Sequence, residues 1–159
     1  MILEYATTFT LLTIYTMIRH FWTDIHELKI DSRRNWMMIG AVLTLGLISK
    51  QIAPLVVAGL LTIGITLILG HFEKKQGKVV FGDGDKEILT WAIPGIAVIF
   101  GFNLAAMFIG LITLGFFVLA FLRYKMFIGE KVFPGLILLS LAYAIILILG
   151  WIAILGVTI

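Results

Sequence analysis

The segment Val79–Thr90, VVFGDGDKEILT, alternates two glycines with two aspartates and then runs straight into an apolar stretch. Such a segment is a boundary, and the composition around it says of what. Of the 159 residues, 61% are hydrophobic and only 13% are charged, and the mean hydropathy is +1.11. A soluble domain of this length cannot bury so much apolar surface, so the chain reads as an integral membrane protein. Residues 1–159 have room for one compact domain and no linker that would separate two. The net charge of +3 is explained below as a topology signal; no nucleic-acid patch is present. Cysteine is absent, which excludes disulfides, thiolate catalysis and cysteine-ligated zinc.

The twelve Lys and Arg residues fall into three clusters and one outlier. Arg19, Lys29, Arg33 and Arg34 form the first; Lys74, Lys75, Lys78 and Lys86 the second; Arg123, Lys125 and Lys131 the third. Lys50 stands alone. The intervals between clusters, 35–72 and 88–122, are each too long for one span of roughly 20 residues and suit two. Turns are available in both, at Ser49–Pro54 and at Gly101–Asn103. Spans at 2–22 and 133–157 complete an all-α bundle of six transmembrane helices. The N-terminal one carries Glu4 where a signal peptide is basic, so it reads as a retained span. All three clusters then share one side, which the positive-inside rule makes cytoplasmic, and both termini lie on the other. The fourth span, about 88–102, is short and holds Pro94-Gly95, which predicts a kinked or oblique helix. The sixteen glycines suit close helix packing, without a GxxxG pair to argue for a dimer.

Eight of the nine acidic residues fall on the cytoplasmic side. Two are placed where chemistry is feasible. Asp24 ends the first span and Asp85 opens the fourth, so the topology puts both at one depth on one face. Two carboxylates brought together in a partly dehydrated site share a proton and titrate as a unit. That is what aspartyl proteolysis needs: one carboxylate takes a proton from water while the protonated one polarises the scissile carbonyl. Gly82 and Gly84 let the backbone beside Asp83 and Asp85 approach a substrate without a Cβ clash. Taken singly, each acid has a plainer use. Asp85 before Lys86-Glu87 suits a helix N-cap, and Asp24 suits a solvated interface.

Other chemistry is weaker. HELKI from His26 begins like a zinc-protease motif, but Ile30 stands where the second His must be. Asp83, Asp85 and Glu87 offer only a minor hard-cation site, so neither metal nor cofactor is expected. His20, His26 and His71 read as headgroup contacts at the inner interface. Ser140 has no histidine nearby to activate it. A proton- or ion-coupled transporter needs midplane carboxylates, and every mid-span stretch lacks them. A non-enzymatic assembly subunit is the rival that composition leaves open.

WTDIHELKIDSRRN, from Trp22, and FGDGDKEIL, from Phe81, together resemble the motifs of the type IV prepilin peptidases and archaeal preflagellin peptidases. These are six-helix GxGD aspartyl proteases. Ile30 follows Asp24 by the family's spacing, and Gly82, Asp83, Gly84 and Asp85 supply the quartet. Asp31-Ser32 replace the usual Pro-Asn, and Glu87 stands where many members have Lys. The presenilin-like branch fits less well, because the third span contains no Asp. The resemblance implies that Asp24 and Asp85 are catalytic, that Gly82, Asp83 and Gly84 shape the loop, and that Glu27, Lys86 and Glu87 meet substrate. It implies a prepilin- or preflagellin-like substrate with a short basic leader, cut at the cytoplasmic face of the cell membrane. The large cysteine-bearing insert tied to N-methylation is missing, so peptidase activity without methyl transfer is expected.

Overall fold

The computed structural model describes residues 2–27, 32–76, 83–126 and 135–156. They form six α-helices: α1 (Ile2–Glu27), α2 (Ser32–Ile48), α3 (Ile52–Gln76), α4 (Asp83–Ile99), α5 (Phe102–Met126) and α6 (Gly135–Leu155). No strand occurs among the described residues. The all-α expectation holds, and the two short turns fall where the sequence places them.

Side-chain contacts fix how the helices run. His20 near the end of α1 meets Asn35 at the start of α2, and Asn35 meets Glu87 at the start of α4. At the opposite end, Trp151 of α6 donates to Thr10 of α1 at 3.0 Å. The helices therefore run up and down, with the first residues of α1 and the last of α6 beside the α2–α3 and α4–α5 turns.

Those two turns are built differently. After α2, the Gln51 amide donates to Gly46 O at 2.9 Å and the Lys50 amide to Leu47 O at 3.2 Å. This is a Schellman cap, and its left-handed position is taken by Lys50 at φ +58°. A residue with a Cβ costs ~1 kcal/mol there relative to glycine. After α4 the positive φ, +96°, belongs to Gly101, whose amide donates to Ile96 O at 3.1 Å.

The centre of the bundle is α4. It packs against each of the other five helices, and none of its described side chains is exposed. Trp91, Ala92, Ile93 and Ile96 form the middle of the core. The helix continues unbroken through Pro94, one turn beyond Thr90. Gly95 permits a close approach: a Cβ there would lie 2.3 Å from Phe9 Cζ and 2.6 Å from Cε2. Since Phe9 is fully buried, its ring has no free space to retreat into.

The outward faces of the other five helices are apolar. Large exposed side chains include Leu11 and Ile18 on α1, Met37 and Leu47 on α2, Leu60 and Leu67 on α3, Leu114 on α5, and Leu141 and Ile148 on α6. Water does not favour a surface of this kind over so many faces. Among the described residues, two segments are long and apolar enough to cross a membrane: Ile52–His71, with mean hydropathy 2.5, and Leu138–Leu155, with 2.6. By contrast, α2 and α4 have 17 residues each, which is about 25 Å of helix.

Candidate active site at one end of the bundle

Asp85 is the third residue of α4 and is only 8% exposed. The helix begins at Asp83, so Asp85 sits inside the first turn and not ahead of it. There its charge opposes the positive end of the helix dipole. Lys86 and Glu87 beside it are half-buried. A buried carboxylate among apolar helices is costly unless neighbouring groups hold it.

The neighbouring Glu87 is held by both oxygens. Ser32 Oγ donates to Oε1 at 3.2 Å, and Asn35 Nδ2 donates to Oε2 at 3.0 Å. On its other side, Asn35 Oδ1 accepts from Trp91 Nε1 at 2.9 Å. An indole N–H only donates and a carboxylate only accepts, so these two partners together set the orientation of the amide. His20 Nε2 lies 3.0 Å from the same Oδ1. That oxygen has no hydrogen to give, so the proton of this bond belongs to His20 Nε2. His20 and Trp91 are fully buried and Asn35 nearly so. One polar network thus joins the end of α1, the start of α2 and the first three turns of α4.

His20 is therefore not a headgroup contact, as the sequence reading expects. Its imidazole faces inward because Asn35 offers an acceptor within the bundle. His71, by contrast, is exposed. Glu87, expected to meet substrate, has both oxygens engaged by α2.

Asp24 lies on the α1 backbone one helical turn past His20, in the last turn before Glu27. Its side chain, those of His26, Glu27 and Asp83, and all of Gly82 lie outside the described residues. What the fold links are the helical turns next to these two positions. His20, four residues before Asp24, connects through Asn35 to Glu87, two residues after Asp85. Among the described residues, no group of three or more His, Asp or Glu side chains is arranged to hold a metal.

Sequence reasoning missed Ser32, Asn35 and Trp91 as partners of this site. One signal was available. Asn35 opens the apolar interval 35–72, and an amide at the edge of such a run has to be paired within the protein.

A second polar layer lies deeper. Thr13 Oγ1 and Tyr143 OH approach at 3.4 Å, linking α1 to α6. The Tyr143 ring packs edge-on against Phe108 at 5.4 Å and tilted against Trp91 at 5.8 Å. Trp91 therefore touches the network with its N–H and the aromatic core with its ring. No family model, curated protein or solved structure matches the chain.

Proposed function

We propose that the chain is a membrane aspartyl endopeptidase, with Asp24 and Asp85 as its dyad. The observation that carries this reading is Asp85. It is a buried carboxylate in the first turn of the innermost helix, at the end of the bundle where α1 delivers Asp24. The network from His20 through Asn35 to Glu87 supports it by tying those two chain ends together.

In this reading all six helices cross the bilayer. The apolar outward faces and the single-sided basic clusters both favour that arrangement. The α1–α2, α3–α4 and α5–α6 connections are cytoplasmic, and the termini lie on the other side. The short α4 is accommodated because protein surrounds it. One carboxylate removes a proton from water as the oxygen adds to the scissile carbonyl, which the protonated partner polarises. Collapse of the tetrahedral species breaks the C–N bond and delivers a proton to the leaving amine. A substrate suited to this site carries a short basic leader ahead of an apolar helix, as prepilin- and preflagellin-like proteins do. Glu27, Asp31 and Asp83 give this end a set of acids that a basic leader would meet. No cofactor enters the chemistry.

The test is cleavage of a prepilin-like substrate by purified protein in lipid. Wild type and Asp83→Asn are expected to cut, while Asp24→Asn and Asp85→Asn are expected to lose at least ~10³-fold in rate, as loss of a catalytic acid or base does. Equal behaviour of all four proteins would replace the peptidase reading with that of an assembly subunit without catalysis.

A further inference from the structure

At the end of the bundle opposite Asp85, a cavity of about 660 Å³ opens between α1 and the α2–α3 and α4–α5 turns. Tyr5, Ser49, Lys50 and Gln51 form its polar side, and Ile48 and Phe102 part of its apolar side. Both of these apolar residues are exposed on the outer surface, so the cavity is continuous with the apolar exterior. The volume lies in the range that accommodates a small ligand or a lipid headgroup.

Lys50 is the feature that needs a reason. It occupies a left-handed cap position, where glycine is the unstrained choice, at φ +58°. It is also the one cation within residues 35–72. Its ammonium has no hydrogen-bond or ion-pair partner among the described residues. Glu4, at the same end of the bundle, is not its partner. The carbonyl ends of α2 and α4 meet the amide ends of α3 and α5 here, so the helix dipoles largely offset one another and Lys50 supplies the one full positive charge in the lining. Strain kept at a special backbone position points to a use for the side chain.

We propose that this cavity seats the headgroup of an anionic phospholipid, with Lys50 as its charge partner. The polar side receives the phosphate and the apolar side the first carbons of the chains. The amphipathic lining and the single cation favour this occupant over a free anion, which has no use for Ile48 and Phe102. The inference rests only on the membrane part of the reading above and is indifferent to peptidase activity.

The experiment titrates lipid into the full chain in mild detergent and follows the thermal unfolding midpoint. Phosphatidylglycerol is expected to raise the midpoint saturably, while phosphatidylcholine and inorganic phosphate do not. In Lys50→Gly, the midpoint without lipid should equal or exceed that of wild type, because the cap strain is gone. Its apparent affinity for phosphatidylglycerol should fall by about tenfold or more, as for a lost charge-assisted contact. Lys50→Arg should keep the response, and Lys75→Gln, at the other end, should keep it fully. Retention of the response by Lys50→Gly overturns the proposal. An equal response to phosphatidylcholine also overturns it, by showing an apolar filling effect, and an equal response to phosphate does so by showing a site for free anions. A chain that stays in solution without detergent refutes the membrane reading before any lipid is added.

Discussion

Asn35 presents one acceptor oxygen and one amide nitrogen to the bundle, and four other side chains depend on it directly or through Glu87. Replacing it with Ala takes this partner from the buried His20 and Trp91 N–H groups and from one oxygen of the half-buried Glu87. Asn35→Ala is expected to destabilise the protein by ~2–4 kcal/mol, several degrees in the unfolding midpoint measured in detergent. Ser32→Ala removes one longer bond at an exposed hydroxyl and should cost under ~1 kcal/mol in the same measurement. Equal losses in the two variants would show that the network is not the unit described here. At this scale the sequence was informative about Asp85 and silent about its surroundings. A glycine–aspartate quartet is a local pattern, readable from neighbouring letters. Asn35, 50 residues before Asp85, has meaning only once two helices cross, and His20 looked like an interface residue because nothing in a linear string shows its inward neighbour.

Among the elements, α4 departs most from expectation. The sequence places it at about 88–102, and it runs instead from Asp83 to Ile99, short as expected and helical through Pro94. Proline lacks the N–H that would bond one turn back, and α4 carries this loss surrounded by five packed helices. Gly95 is needed there for room. Gly95→Ala forces its Cβ against the Phe9 ring and should cost ~1–3 kcal/mol as overpacking. Gly59→Ala, on the outer helix α3 with nothing within 4 Å of the added carbon, should be neutral or stabilise by up to ~1 kcal/mol. Thermal midpoints of the two variants test the contrast directly. The number and order of the helices were legible because Gly, Pro and charge clusters separate them, while their ends were not, as α4 shows by starting at Asp83. Which helix lies innermost was not, since α3, α5 and α6 are at least as apolar as α4 and yet face outward.

At the scale of the whole molecule, the sidedness proposed from the basic clusters is open to a clean test, because the chain contains no cysteine of its own. Single cysteines at the exposed positions Gln51 and Lys75 should label from opposite sides of a sealed vesicle, with Lys75→Cys reacting from the cytoplasmic side. Labelling of both from one side would dismantle the up-and-down crossing. The enclosure of α4 also bears on how the protein is made. A ribosome releases α4 before α5 and α6 exist, yet those two helices form part of its wall. In the proposed membrane setting, a short helix opening with Asp83, Asp85 and Glu87 has no complete shelter from lipid until they arrive. The nascent chain would have to keep α4 at the membrane surface, or beside its insertion machinery, until synthesis has passed α6. Committing the helix with the buried acid would then be the last act of assembly, and a chain cut short after α5 would be a substrate for quality control before its core could close.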